Sequence, residues 1–127
     1  MFDFRFDAAT GILHIRTEGF WDLAMAQRFA ATMLAEASAI RASHGIFAVL
    51  TDARDFPVQQ TAVGTVLHEL AMRGQSMMNG PNATVVRAML NKLQSTRLLS
   101  MSNHRTFTDM DEAAAWIDSE WTSRRAA

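Results

Sequence analysis

A short apolar run, residues 46–50, constrains the fold of this chain more than any other stretch. Its residues are Ile-Phe-Ala-Val-Leu, so apolar side chains follow one another without alternating with polar ones. A strand with this pattern is covered on both faces, as strands of a parallel sheet flanked by helices are. The run therefore predicts a central strand of an α/β domain.

Helical patterns stand on both sides of this strand. Upstream, apolar residues recur at helical spacing over residues 26–40, with Asp22 placed to cap the helix and Gly45 placed to end it. Downstream, residues 59–73 predict a second amphipathic helix. An apolar strand between two amphipathic helices is typical of α/β domains, in which helices cover the sheet.

Two alternating segments precede the first helix. Phe2, Phe4 and Phe6 alternate with charged residues, and residues 12–18 alternate again. A period of two is typical of a half-buried strand, and the turn that ends at Gly11 is short. The two segments therefore predict an antiparallel hairpin.

The last third of the chain predicts two further strands and two further helices. Residues 83–88 and 105–107 contain the β-branched and aromatic side chains that strands favour. Residues 89–101 have apolar residues at helical spacing, and residues 108–112 have the pattern of a capping box that opens the last helix.

The predicted order is β-β-α-β-α-β-α-β-α, which indicates a single α/β domain over residues 1–127. We expect one mixed β-sheet that opens with the antiparallel hairpin and has helices packed on it. A chain of this length buries enough apolar surface for one core, and its content of 49% hydrophobic and 20% charged residues is ordinary for a globular protein.

Composition argues against several classes of function. The chain has no cysteine, and its four histidines lack metal-site spacing, so we predict no metal and no cofactor. A net charge of −1 argues against nucleic-acid binding. No apolar run approaches the roughly 20 residues that stable membrane insertion needs. The charged N-terminal segment is unlike a signal peptide, so we expect a cytoplasmic protein.

Three segments resemble the STAS superfamily. They are residues 11–21, with the hairpin and its Gly-Phe-Trp exit, residues 47–64, with the apolar strand and Asp52, and residues 105–116, with the closing strand and helix. This superfamily includes bacterial anti-sigma-factor antagonists and the cytoplasmic domains of sulfate transporters, and the chain is most similar to the stand-alone SpoIIAA-like branch. The resemblance implies a non-enzymatic, cytoplasmic regulatory or protein-binding module.

The resemblance also implies a candidate phosphorylation site. In regulatory members, the helix after this strand opens with Asp-Ser-Ser-Gly, a kinase phosphorylates the second serine, and dephosphorylation restores partner binding. Thr61 takes the position of the phosphoacceptor, whereas Ala62 replaces the glycine and Gln59-Gln60 replaces Asp-Ser. Phosphate would add about −2 charge at a helix N-terminus. The alternative is that Thr61 is only a capping or first-turn hydroxyl.

Asp52, Arg54, Asp55 and Phe56 follow the central strand and form the predicted binding site. In open α/β sheets, ligands gather where the carboxyl ends of strands meet loops. Arg54 would clamp a carboxylate or phosphate, with the aspartates orienting it. The alternative is a turn that satisfies itself, in which the carboxylates accept backbone N–H groups and Arg54 pairs with one of them.

A carrier or sensor of a small apolar or anionic ligand is a second hypothesis. Met72, Met77 and Met78 cluster where the second helix ends, and with Trp21 and Phe56 they would line a lipid-like pocket. The SpoIIAA-like fold is similar to that of lipid-carrying Sec14-type domains. The alternative is that these methionines fill the core.

The partner of a binding module is either another protein or a second copy of the chain. Trp116 and Trp121 of the last predicted helix would suit a homodimer interface, where aromatic residues are enriched. An enzyme is the least favoured class, because the sequence lacks a serine-hydrolase elbow, a phosphate-binding glycine loop and a complete zinc-metalloprotease signature.

Overall fold

The computed structural model describes residues 1–87, 92–93 and 103–126. In chain order the elements are β1 Phe2–Asp7, β2 Ile12–Glu18, α1 Leu23–His44, β3 Ala48–Asp55, α2 Thr61–Gly74, β4 Asn82–Val85, β5 His104–Phe107 and α3 Met110–Ala126. The predicted helix over residues 89–101 falls on a segment of which only residues 92–93 are described, and those two are helical.

The strands form one five-stranded sheet in the order β1-β2-β3-β4-β5. β1 and β2 are antiparallel, whereas every later pair of neighbours is parallel. Each strand therefore lies next to the strand that precedes it in the sequence, as is usual for consecutive elements. This arrangement confirms the predicted α/β fold with a single mixed sheet and an N-terminal hairpin.

Each face of the sheet packs against helices and has its own apolar cluster. α1 and α2 cover the face that carries Leu13 and Val49, and Phe29 and Val63 are among their contributions. α3 covers the opposite face, where the sheet residues are Ala48, Leu50, Ala83, Val85 and Phe107. Burying a large apolar side chain contributes about 1.5–3 kcal/mol, so both layers stabilise the domain. Residues 47–50 of the apolar run are therefore buried as predicted, whereas Ile46 precedes β3 and is 46% exposed.

The central strand extends further than its apolar run. The sequence predicts a turn at residues 52–55, but β3 ends only at Asp55. Asp52 lies between Arg16 of β2 and Val85 of β4, so pairing on both sides holds this polar part of the chain in the sheet. Pairing with neighbouring strands here outweighs the low β-propensity of aspartate. The register of β2 and β3 shifts just beyond Arg16.

The helix ends follow the sequence, with one correction. The Asp22 carboxylate accepts a hydrogen bond of 2.8 Å from the Met25 N–H and so caps α1, and Gly45 ends this helix with φ of 79°. At α3, the Asp109 carboxylate accepts from the N–H groups of residues 111 and 112. The capping residue is therefore Asp109, and the capping box predicted from Thr108 is displaced by one position.

No helix within the described residues is both long and apolar enough to cross a membrane.

Candidate functional site

Six charged side chains gather at the carboxyl ends of the parallel strands. Parallel strands bring these ends to the same edge of the sheet, where sites in open α/β sheets lie. The members of this charged cluster are Arg16, Glu18, Asp52, Arg54, Asp55 and Arg87.

Asp52 and Arg54 form a bidentate pair on adjacent positions of the same strand face. Arg54 Nε donates to Asp52 Oδ1 and Arg54 Nη2 donates to Asp52 Oδ2, each at 2.9 Å. The hydrogen bond from the Arg54 side chain lowers the pKa of Asp52 and outweighs the opposing effect of burial. Of the two interpretations of Arg54, the structure favours the one in which it pairs with a neighbouring aspartate.

Asp55 is bound by arginines from two other parts of the chain. Arg87 Nη2 donates to Asp55 Oδ1 at 2.7 Å, and Arg16 Nη2 donates to Asp55 Oδ2 at 3.3 Å. Arg87 Nε also donates to the carbonyl oxygen of Arg54 at 3.0 Å, and Arg16 lies 3.5 Å from Glu18. The Asp55 carboxylate therefore joins the end of β2 to the residues that follow β4.

The sequence points to Asp52, Arg54 and Asp55 at this edge of the sheet but not to Arg16 and Arg87, which join them in the charged cluster. The only signal for Arg16 is its place on the polar face of an alternating strand, and Arg87 follows a strand end. Isolated exposed ion pairs contribute about 0–1 kcal/mol each, and bidentate pairs and networks such as these are the exceptions that contribute more. The three exposed guanidinium groups and the exposed Asp55 carboxylate, with the half-buried Glu18 and Asp52 carboxylates beside them, can exchange partners with the charges of another molecule.

Two loops beside the charged cluster are joined through Gln59, which is 6% exposed. The Gln59 Oε1 accepts from the Trp21 N–H at 2.8 Å, and Nε2 donates to the carbonyl oxygens of Pro57 at 2.7 Å and Gly19 at 3.1 Å. Gln60 adds a bond of 3.3 Å to the Trp21 carbonyl oxygen. The β2–α1 and β3–α2 loops are therefore held together as one unit. Nothing in the sequence indicates this role for Gln59.

The two joined loops and the first residue of α1 present an exposed apolar surface. Phe20 is 80% exposed, Leu23 is 44% exposed and Val58 is 36% exposed. The side-chain amide of Gln59 donates to the carbonyl oxygens of Gly19 and Pro57, the residues that precede Phe20 and Val58. The backbone next to Phe20 and the backbone next to Val58 are therefore bonded to the same side chain. We call Phe20, Leu23 and Val58 the Phe20 surface. An exposed apolar surface with a polar rim is typical of an interaction site.

Phe56 and Thr61 lie where the sequence places them, near this surface. The Phe56 ring is half-buried and contacts the buried Trp21 ring at a centroid distance of 4.7 Å. Thr61 is exposed and is the first residue of α2, where Gln60 occupies the capping position without a capping hydrogen bond from its side chain. Thr61 is therefore an exposed first-turn residue and not the cap.

Met77 and Met78 lie away from the other predicted site residues. Both follow the C-terminal end of α2, and the length of this helix, roughly 20 Å, separates them from Thr61 at its start. Met78 is buried in the cluster under α1 and α2, and Met77 packs against it. A Cβ at Gly74 would overlap the Met78 side chain, so glycine makes room for it. Met77 and Met78 therefore pack in or against the core, as the alternative interpretation predicts, whereas Met72 is 56% exposed and does not.

No group of three or more His, Asp or Glu side chains within residues 1–87, 92–93 and 103–126 is arranged to hold a metal ion.

No protein-family model matches the sequence, and neither does any curated protein.

Proposed function

We propose that this chain is a non-enzymatic, cytoplasmic binding module of STAS type, which engages a protein partner at the carboxyl ends of β2 and β3. The observation that carries this proposal is the Phe20 surface on two loops bonded to each other. An aromatic ring that is 80% exposed adds no core packing, whereas partner burial of such a ring is a usual source of affinity.

The rigidity of the two loops supports the proposal. Binding costs free energy when loops must be ordered, and a surface that is already fixed avoids much of this cost. Gln59 supplies two hydrogen bonds between the loops and a third within its own loop, and the Gly19 N–H donates to the Asp55 carbonyl oxygen at 2.9 Å. The Phe20 surface is therefore preorganised to receive a partner.

The charged cluster supports a protein partner in particular. Interfaces commonly have an apolar centre with a polar rim, and rim charges steer encounter and set specificity more than they add affinity. The arginines and carboxylates of the charged cluster balance in number, which suits a partner surface of mixed charge. A purely apolar ligand has no charged groups with which these side chains could pair.

Replacement of Phe20 tests this function directly. A photoreactive phenylalanine analogue at position 20 in host cells is expected to crosslink to one protein, identified by mass spectrometry. With that partner purified, F20S is expected to raise the Kd at least about tenfold in calorimetry, because an aromatic anchor is lost. The melting temperature is expected to stay at the wild-type value, since Phe20 is exposed.

The matched control is I46S. Ile46 is 46% exposed and precedes β3, so it lies at the opposite end of that strand from Phe56 and the Phe20 surface. This variant removes a similar apolar side chain and is expected to leave the Kd unchanged. Equal affinities for F20S and wild type, or a loss of affinity that I46S shares, would contradict the proposal.

We further propose that phosphorylation of Thr61 regulates this module, as the STAS resemblance implies. Phosphate at the first position of α2 would meet the positive end of the helix dipole and is therefore accommodated by the fold. The same charge lies beside the Phe20 surface, so a docking partner would have to remove water from the phosphate. The cost of this desolvation opposes binding. T61E is expected to weaken partner binding at least about tenfold while raising the free energy of unfolding by about 0.3–1 kcal/mol.

T65E provides the comparison for this test. Thr65 is also exposed and lies one turn further along α2, and its hydroxyl donates to the Thr61 carbonyl oxygen. The same charge there is expected to weaken binding less than T61E does. Intact-mass and peptide mass spectrometry of protein from its own host should find phosphate on Thr61. Phosphate absent from Thr61, together with equal effects of T61E and T65E, rejects the switch but not the binding surface.

A further inference from the structure

β1 forms one edge of the sheet and has hydrogen-bonding groups that β2 does not use. Met1 and Glu18 exchange N–H to carbonyl bonds, each of 3.0 Å. Bonded and non-bonded pairs alternate along an antiparallel ladder, and in this register Phe2 lies opposite Thr17. The N–H and carbonyl groups of Phe2, Phe4 and Phe6 therefore point away from β2, toward the open edge.

We propose that β1 is a homodimer interface at which it pairs antiparallel with β1 of a second copy of this chain, with Phe4 opposite Phe4. An outward N–H can bond only an outward carbonyl, so the pairing must place phenylalanine opposite phenylalanine. The alignment centred on Phe4 also places Phe2 opposite Phe6. In this alignment the outward N–H and carbonyl groups of all three phenylalanines form hydrogen bonds in both copies. The two sheets thereby become one continuous sheet. This inference is independent of the proposed partner at the Phe20 surface.

Charge selects this alignment over its neighbours. With Phe4 opposite Phe4, Asp3 of each copy stands opposite Arg5 of the other. A shift of two residues in one direction places Asp3 opposite Asp3. The opposite shift places Arg5 opposite Arg5 and Asp3 opposite Asp7. Residues of such non-bonded pairs are close, about 4.5 Å between Cα atoms, so opposite charges stabilise the pairing and like charges oppose it.

The phenylalanine side chains of β1 suit an interface with a copy. Each is half-buried and packs on the cluster beneath α1 and α2. The Phe4 ring stacks on Phe29 of α1 at 5.5 Å, and Phe2 meets Phe29 edge to face at 5.3 Å. A two-fold axis perpendicular to the sheet keeps both sets of rings on the same face. The dimer then brings Phe2 beside Phe6, which extends the aromatic packing across the edge.

Charge reversal with a rescue tests the proposal. Wild-type protein is expected to sediment as a dimer in analytical ultracentrifugation, whereas R5D and D3R each place two like-charged pairs in the interface. Each variant alone is expected to weaken dimerisation at least about tenfold. An equimolar mixture of R5D and D3R is expected to form heterodimers, because every pair between the two chains is again of opposite sign.

Crosslinking tests the register itself. The chain contains no cysteine, so D3C and R5C introduce single thiols. Close antiparallel pairs suit disulfide geometry, and the oxidised mixture is expected to yield a covalent heterodimer faster than either variant alone yields a homodimer. Asp3 and Arg5 are exposed, so circular dichroism should find all variants folded.

Several outcomes would overturn the proposal. One is a wild-type protein that stays monomeric over the whole soluble concentration range. Another is a dimer that R5D leaves intact, which would place the interface away from β1. A third is a mixture of R5D and D3R that does not associate while wild type does.

Discussion

Q59A is expected to lower the free energy of unfolding by about 2–4 kcal/mol, because three buried or half-buried hydrogen bonds are lost at once. The largest part comes from the Trp21 N–H, which is buried and loses its acceptor. A backbone donor left without a partner costs about 1–3 kcal/mol. The melting temperature should fall by roughly 10 °C, measured by differential scanning calorimetry.

Two further variants isolate the cause. Q59E keeps an acceptor for Trp21 but has no N–H for the carbonyl oxygens of Gly19 and Pro57, so we expect it to be destabilised as well. Q60A removes a single bond of 3.3 Å from an exposed side chain and is expected to cost less than about 1 kcal/mol. A Q59A protein that is no less stable than Q60A would contradict this role for Gln59.

Stability is expected to fall by about 3 kcal/mol between pH 6.5 and pH 4 because of His104. Burial lowers the pKa of His104 to about 4, from 6.5 in an exposed side chain. As the pH falls through this window, the unfolded chain takes up a proton that the folded protein does not accept. About 2 kcal/mol of the loss should have occurred by pH 5, before most carboxylates titrate. Urea titrations at a series of pH values measure the free energy of unfolding and so test this expectation.

H104Q is expected to remove this part of the pH dependence. Glutamine retains a polar group near the Thr84 hydroxyl, which lies 2.9 Å from His104 Nε2, but does not titrate. T84V is the comparison variant, because it deletes the hydroxyl and keeps the histidine. It should lower stability at all pH values while the slope between pH 6.5 and pH 5 persists. If H104Q shows the wild-type slope, another group is responsible.

The parts of the fold that depend on local pattern were predictable from the sequence. The hairpin follows from the alternating phenylalanines, and the ends of α1 follow from Asp22 and Gly45, whose roles are decided within a few residues. Covering of the central strand on both faces follows from the apolar run. The displaced cap at Asp109 is an error of one position in such a local pattern.

The candidate site depends on distant contacts and was therefore only partly predictable. Asp52 and Arg54 stand two residues apart, so their pairing could be anticipated as an alternative. β3 pairs with β4 as far as Asp52 and with β2 as far as Asp55, so distant neighbours decide the extension of the strand, and the bond from Arg87 spans 32 positions. Gln59 meets Trp21 across 38 positions. No pattern in the sequence marks contacts of that kind.

The shared use of β3 by both helical layers has a consequence for how the domain unfolds. Val49 belongs to the cluster under α1 and α2, whereas its neighbours Ala48 and Leu50 belong to the cluster under α3. Separating either layer from the sheet weakens the strand on which the opposite layer rests. The two layers therefore cannot melt in succession as independent halves, and loss of α3 would destabilise the distant Phe20 surface through the backbone of β3. We therefore expect the domain to unfold as one cooperative unit.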